Sequence, residues 1–121
     1  RTAATACKAA LPHLKSGGGR IINVGAATAV KAGAGMGAYA ASKSGVMRLT
    51  ESLAEELKGR GVTVNAVLPS IIDTPQNRAD MPAADPSKWV TPQDLAAVIL
   101  FLASDAARAV TGALIPVTGE T

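Results

Sequence analysis

Short β-branched runs alternate with longer helical patterns along this chain, and that alternation constrains its fold more than any other feature. Residues 20–24, 62–68 and 113–117 are rich in Val, Ile and Leu and predict strands. Residues 39–58 carry apolar side chains at helical spacing, and Thr91 begins a second helical pattern as its N-cap. Strands that alternate with helices usually pair in parallel. The sequence therefore predicts an α/β fold with three layers.

The composition is that of a packed globular chain. Of the 121 residues, 48% are hydrophobic and 17% are charged, which argues against disorder. The net charge of +3 comes from interspersed residues, so we expect no nucleic-acid partner. The apolar stretches fall far short of the about 20 residues of a membrane span, so we expect no membrane partner. The single Cys7 cannot form an internal disulfide, which is compatible with a cytoplasmic protein, and we predict no metal site.

The stretch between Pro69 and Val90 is rich in proline and shows no clear periodicity. Long loops of this kind often serve as active-site lids or binding loops. Trp89, near its end, is either an aromatic lid contact or a packing anchor. We predict a loop here and leave both roles of Trp89 open.

Tyr39 and Lys43 form the most suggestive pair of side chains. They are four residues apart on a predicted helix, so they project from the same face. A free phenol has a pKa of about 10, and a cation held nearby favours the phenolate and draws that pKa toward neutrality. Tyr39 is therefore a candidate acid/base with Lys43 as its tuner. The other interpretation is a partly buried Tyr and a solvated Lys that share this spacing by chance.

Four short motifs follow one another along the chain, each occurring once. They are Gly-Arg-Ile-Ile-Asn-Val-Gly at 19–25, Tyr-Ala-Ala-Ser-Lys-Ser-Gly-Val at 39–46, Val-Thr-Val-Asn-Ala-Val-Leu-Pro at 62–69 and Pro-Gln-Asp-Leu-Ala at 92–96. Together they resemble the second half of the short-chain dehydrogenase/reductase family, and in particular its 3-oxoacyl-acyl-carrier-protein-reductase-like members. The resemblance covers essentially all of the chain. It implies the C-terminal half of a Rossmann-like doubly wound parallel sheet.

The resemblance also implies an activity and its residues. The family transfers a hydride between NAD or NADP and a small carbonyl or alcohol substrate, and the preference between the two nucleotides is left open. By the motif, Tyr39 is the acid/base, and Lys43 lowers its pKa and binds the nicotinamide ribose. Pro69, Ile72 and Thr74 match the family's nicotinamide-contacting segment. Without the resemblance, Ile72 would be interpreted as a buried loop anchor and Thr74 as a turn residue.

Two positions depart from the family pattern. Ala26 stands where the family usually carries a Ser that hydrogen-bonds the substrate carbonyl, and Ser70 stands where Gly is usual. A methyl group cannot polarise an oxygen, and loss of one such donor costs on the order of 100-fold in rate at comparable sites. Ala at this place is also a local likeness to dihydropteridine reductases, which keep the Tyr and Lys.

The family's Gly-rich nucleotide turn should precede residue 1, so we expect residues 1–121 to be a partial Rossmann-like domain that lacks the N-terminal dinucleotide-binding half. Helices at 2–15 and 39–58 resemble the family's subunit-packing helices and predict a homo-oligomer. Besides the oxidoreductase, two alternatives remain open. One is a non-enzymatic member that acts as an assembly module. The other is an inactive truncated fragment.

Overall fold

A computed structural model describes the backbone of residues 18–25 and 36–121, and it describes side chains outside residues 36–43. Three strands form one sheet: β1 (Arg20–Val24), β2 (Thr63–Pro69) and β3 (Leu114–Val117). The α-helices are α1 (Met36–Leu57), α2 (Pro75–Asp80) and α3 (Pro92–Ala103), and short 3-10 turns occupy Lys58–Arg60, Pro86–Lys88 and Asp105–Ala107. The strands alternate with helices, as the sequence predicts.

The sheet is parallel throughout, in the order β1, β2, β3. The register pairs Arg20 with Thr63 at one end and Pro69 with Val117 at the other. Because the strands run in the same direction, their carboxyl ends meet at one edge of the sheet. The predicted parallel α/β architecture is confirmed.

Helix α1 covers one face of the sheet. Its buried residues Leu53, Ala54 and Leu57 pack with Val62 and Val64 of the β2 segment. Leu53 and Leu57 belong to the apolar pattern predicted at 39–58, and the burial of these side chains supplies hydrophobic free energy that holds the helix on the sheet.

The second face of β2 is buried as well. Side chains alternate between faces along a strand, and Asn65 and Val67 are as fully buried as Val64 and Ala66. Helix α3 contacts both β1 and β2. A strand that is covered on both faces is typical of the middle of a layered α/β fold.

Helix α3 begins where its sequence signature predicts. The side chain of Thr91 accepts a hydrogen bond from the Asp94 amide at 3.0 Å, and Pro92 occupies the first helical position. Leu102 is fully buried on its inner side, whereas Leu100 and Phe101 are exposed. The helical spacing of the apolar residues in this segment predicts one inward face, and its members are half-buried or buried: Leu95, Val98, Ile99 and Leu102.

The prediction of a loop between Pro69 and Val90 is wrong in part. The segment contains α2 and a 3-10 turn, and α2 begins at Thr74 with the same cap chemistry as α3. Its six residues bury only Asn77, so no apolar periodicity marks it. Trp89 is 5% exposed, which makes it a packing anchor.

Other boundaries shift by one to three residues. Helix α1 begins at Met36 rather than at 39 and ends at Leu57, and β2 runs one residue later than predicted. The predicted helix at 2–15, together with Cys7 and Ala26, lies outside the described residues. In the part of the chain that the structure describes, no helix has the length and apolar character of a membrane span. The same residues contain no group of three His, Cys, Asp or Glu side chains that could hold a metal ion.

Candidate active site

The carboxyl edge of the sheet brings together the ends of two neighbouring strands. The amide of Gly25, directly after β1, donates to the carbonyl of Val67 in β2 at 2.9 Å. A Cβ atom on Gly25 would lie 2.9 Å from Cδ2 of Leu68, so a larger residue here would require the end of the Leu68 side chain to move. In open α/β sheets, ligands bind in the crevice outside these carboxyl ends. This edge is therefore the candidate site.

Helix α1 reaches this edge with its first turns. Along the chain, α1 follows the carboxyl end of β1 and precedes the amino end of β2. The N-terminal turns of α1 therefore lie on the side of the sheet's carboxyl edge. Tyr39 and Lys43 lie on α1 within two turns of Met36, in agreement with the predicted helix. Their side chains lie outside the described residues, as does Ala26, so the pairing of phenol and ammonium stays a prediction.

The segment 69–74 leaves β2 at this edge and is held by backbone hydrogen bonds. The Val90 amide donates to the Ile71 carbonyl at 2.9 Å, and the Asp73 amide donates to the Val90 carbonyl at 2.7 Å. These two bonds form a parallel bridge between Ile72 and Val90. The segment therefore continues strand-like pairing beyond β2, at the carboxyl edge of the sheet.

Among the described residues, Ile72 and Thr74 each have one hydrogen-bond donor without an acceptor. The Ile72 carbonyl accepts from Nδ2 of Asn77 at 2.8 Å, but its amide finds no acceptor among the described residues. The Thr74 hydroxyl accepts from the Asn77 amide at 3.1 Å and so caps α2, which leaves its own proton available to donate. Two donors in the segment after β2 are thus available for an acceptor outside the described residues.

Asn77 is a site-shaping residue that the sequence reasoning missed. It is 9% exposed and bonds both predicted contact residues, through its side chain to Ile72 and through its amide to Thr74. The available signal was the Thr-Pro pair at 74 and 75, which repeats the helix-start signature found at 91 and 92.

Pro69 and Ser70 join the site segment to the end of β3. Pro69 is buried and lies opposite Val117 in the last register pair. The Ser70 hydroxyl donates to the Thr118 carbonyl at 3.0 Å and lies 2.6 Å from the Thr121 hydroxyl. A glycine at position 70 could make neither contact, so the departure at this position adds a link between β2 and the segment after β3.

Asp73 and Arg78, in the segment that follows β2, form an ion pair. Arg78 donates to both carboxylate oxygens of Asp73, at 2.7 and 2.9 Å. The hydrogen bond from Arg78, reinforced by its charge, holds the pKa of Asp73 below its ordinary value, and the same bond raises the pKa of Arg78. Hydrogen bonds from Ser87 likewise lower the pKa of Asp85. Asp73 is therefore an ionised structural partner and a poor candidate for a catalytic base.

Comparison with known proteins assigns this arrangement to a family. The family model described as enoyl-(acyl carrier protein) reductase matches residues 1–119. The chain is 40% identical over 114 residues to a 3-oxoacyl-[acyl-carrier-protein] reductase from Vibrio harveyi, which covers 88% of this chain and 47% of that protein. It is also 40% identical over 121 residues to a cis-4-hydroxycyclohexanecarboxylate dehydrogenase from Sinomonas cyclohexanicum, which covers 93% of this chain and 49% of the relative.

Solved structures give the same assignment. A short-chain type dehydrogenase/reductase from Mycobacterium ulcerans superposes with a TM-score of 0.79 at 31% identity, over 94% of this chain and 46% of that one. A blue fluorescent protein from a metagenomic library, solved in complex with NADPH, superposes with a TM-score of 0.76 at 38% identity, over 95% of this chain and 49% of that one. The chain spans about half the length of the curated relatives it matches. Because the family model matches residues 1–119 and the solved relatives superpose over almost all of this chain, the chain belongs to the short-chain dehydrogenase/reductase family.

Proposed function

We propose that the protein is a nicotinamide-dependent oxidoreductase that transfers a hydride between NAD or NADP and a small carbonyl or alcohol substrate. Residues 1–121 would form the C-terminal part of its Rossmann-like domain. Relatives named as reductases and dehydrogenases support the reaction class. Solved relatives with bound NADP and NADPH, at 37% and 38% identity, support the cofactor.

One observation in this chain carries the proposal. The segment 69–74 stands at the carboxyl edge with two donors that have no acceptor within the described part of the chain, the Ile72 amide and the Thr74 hydroxyl proton. A nicotinamide carboxamide presents a carbonyl oxygen and a pyrophosphate presents anionic oxygens, and both need donors. The residues present therefore fit a nicotinamide nucleotide.

The proposed chemistry divides between the cofactor and the chain. Nicotinamide, when bound, supplies or accepts the hydride. In the reducing direction Tyr39 gives its phenolic proton to the substrate oxygen, and in the oxidising direction its phenolate takes that proton back. The Lys43 ammonium stabilises the phenolate and donates to the ribose hydroxyls. The Ile72 amide, the Thr74 hydroxyl and Pro69 would hold and orient the nicotinamide.

Ala26 sets an expectation about the substrate. With a methyl group at this position, the substrate oxygen is held by the Tyr39 hydroxyl without the second donor that the family usually provides. Restoring that donor with Ala26→Ser should raise kcat for a ketone, by up to about 100-fold if the hydroxyl reaches the oxygen. Unchanged ketone turnover in Ala26→Ser would mean that the departure is compensated elsewhere.

The proposal extends to a second copy of the protein. The outer face of α1 is exposed in its described part, at Ser44, Arg48 and Ser52. We propose that this helix, with residues 2–15, forms the contact face of a homo-oligomer. Light scattering of the natural full-length protein tests this, and a monomeric mass contradicts it. A cytoplasmic location stays a prediction.

The reaction class is tested by turnover of the natural full-length protein. NADH and NADPH are each offered with a panel of ketones, aldehydes and quinonoid pterins, and oxidation of the nicotinamide is followed by absorbance. We expect turnover with at least one substrate and one nucleotide. No turnover across the panel, together with no saturable binding of either nucleotide, would refute the proposal and favour a non-enzymatic assembly role.

A further inference from the structure

A buried polar pair crosses the otherwise apolar interface between β1 and α1. Nδ2 of Asn23 donates to the Thr50 hydroxyl at 3.0 Å, and that hydroxyl donates onward to the Val46 carbonyl at 2.7 Å. Asn23 is 7% exposed and Thr50 is fully buried. Its neighbours on the same interface, Leu53 among them, are aliphatic. The pair is therefore a directed hydrogen-bond chain inside a hydrophobic contact.

Such a pair selects one arrangement of helix on strand. Aliphatic contacts tolerate small slides and rotations, because one methyl group can replace another. A buried amide N–H does not, since it keeps its desolvation cost when its acceptor moves away. Sliding α1 by one turn, about 5.4 Å, would leave the Asn23 amide without the Thr50 oxygen. The bond thus fixes both the height and the rotation of α1 on β1.

The hydrogen bond between Asn23 and Thr50 also fixes the helix positions of Tyr39 and Lys43. Thr50 follows Lys43 by seven residues and Tyr39 by eleven, all on α1. At about 100° per residue, both positions lie within about 20° of Thr50 around the helix axis. They are displaced along the axis by about 10 and 16 Å. Thr50 and the motif therefore share one helix face.

The strand partner is equally well placed. Asn23 stands near the carboxyl end of β1, two residues before Gly25 at the crevice. The hydrogen bond therefore joins β1, which ends at the carboxyl edge, to α1, which contains the acid/base motif. A rotation of α1 that carries Thr50 off Asn23 would turn positions 39 and 43 by the same angle.

We propose that Asn23 and Thr50 are positioning residues, whose hydrogen bond sets the direction in which the Tyr39 and Lys43 face of α1 meets the carboxyl edge. The inference rests on the proposed function, because it assigns the pair a role in that reaction. It goes beyond stability: an apolar pair of the same size would hold the helix on the sheet but would not fix its angle.

Three variants of the natural full-length protein separate the two roles. Thr50→Val is nearly isosteric and removes the oxygen to which the Asn23 amide donates. Asn23→Leu combined with Thr50→Val replaces both polar groups by apolar ones. Thr50→Ser keeps the hydroxyl. The matched control is Thr63→Val, the same change at a threonine of β2 that is 5% exposed and whose hydroxyl has no hydrogen-bond partner within the described part of the chain.

Urea unfolding and steady-state kinetics are measured for each, with kcat expressed per folded molecule from circular dichroism. We expect Thr50→Val to lower both the urea midpoint and kcat. The double variant should raise the urea midpoint above that of Thr50→Val while kcat stays about 10- to 100-fold below the unsubstituted protein, the scale of a misplacement of about 1 Å. The KM for the nucleotide should change much less than kcat. Thr50→Ser should restore kcat, and Thr63→Val should leave it unchanged.

The outcomes are distinguishable. If the double variant recovers kcat together with stability, the pair is structural only and the inference is overturned. If the double variant does not fold, Thr50→Ser against Thr50→Val still decides, since equal kcat per folded molecule in those two also overturns it. No turnover in the unsubstituted protein refutes the proposed function itself, whatever the variants do.

Discussion

Thr74 is expected to have two separable roles, and variants at this position should divide them. Its hydroxyl oxygen caps α2 by accepting from the Asn77 amide at 3.1 Å, and its proton is the donor proposed for the nucleotide. Thr74→Asp keeps the capping acceptor but has no proton to donate when ionised. Thr74→Val removes both functions, and Thr74→Ser keeps both.

The structure sets the size of each effect. Loss of a threonine cap costs about 1 kcal/mol of stability. The helix that Thr74 caps, α2, has only six residues. Loss of one hydrogen bond to the nucleotide costs about 1 to 1.5 kcal/mol, or roughly tenfold in Kd. We therefore expect Thr74→Asp to fold like the unsubstituted protein and to bind NADPH about tenfold more weakly, or weaker still if its charge faces a phosphate.

Thr91 provides the matched control. Its hydroxyl caps α3 by accepting from Asp94 at 3.0 Å, again with a proline next, but it has no proposed contact with the nucleotide. Thr91→Val should cost about 1 kcal/mol in urea unfolding and leave the Kd from NADPH fluorescence unchanged. The reasoning is refuted if Thr74→Asp binds NADPH as tightly as the unsubstituted protein, or if the two valine variants weaken binding equally.

Three further predictions concern stability. Leu102→Ala should cost about 2 to 5 kcal/mol in urea unfolding, because Leu102 is fully buried, and a cost below about 1 kcal/mol would contradict its place in the core. Gly119→Ala should lower the melting temperature, because Gly119 has φ +58° and a Cβ would lie 2.9 Å from the Lys88 carbonyl; an unchanged melt would contradict this. Arg78 holds the pKa of Asp73 below its ordinary value, so the contribution of this pair to stability is present at neutral pH and is lost as the pH falls through the lowered pKa. The stability gap between the unsubstituted protein and Asp73→Asn should therefore close in acid, and a gap that widens there would reverse the assignment.

The sequence predicts the bounds of an element well where short-range features, such as a cap or a glycine, set those bounds. Strand β1 has its predicted bounds, because a short β-branched run ends at a glycine. Helix α3 starts at its predicted cap, because Thr91-Pro92 is a chemical signal that needs no tertiary partner. Helix α2 carries the same signal at Thr74, but it was missed because six residues with one buried side chain show no period.

Contacts between distant residues could not be predicted in the same way. Asn23 interrupts an apolar strand, and nothing local indicates that its partner is Thr50, 27 residues later. The burial of Trp89, which decides between its two proposed roles, likewise depends on the packing of the whole chain. Of the candidate site, the motif predicted the segment 69–74, while the clamp by Asn77 arises from the fold of α2.

The central claim is that Tyr39 is the acid/base of a nicotinamide-dependent reaction, and one comparison tests it most directly. Hydride transfer is followed by nicotinamide absorbance in the natural full-length protein and in Tyr39→Phe, with nucleotide binding measured in both. We predict that the variant binds the nucleotide but turns over about 100- to 10,000-fold more slowly, since it keeps the ring and loses the proton. Equal kcat in the two proteins would contradict the account.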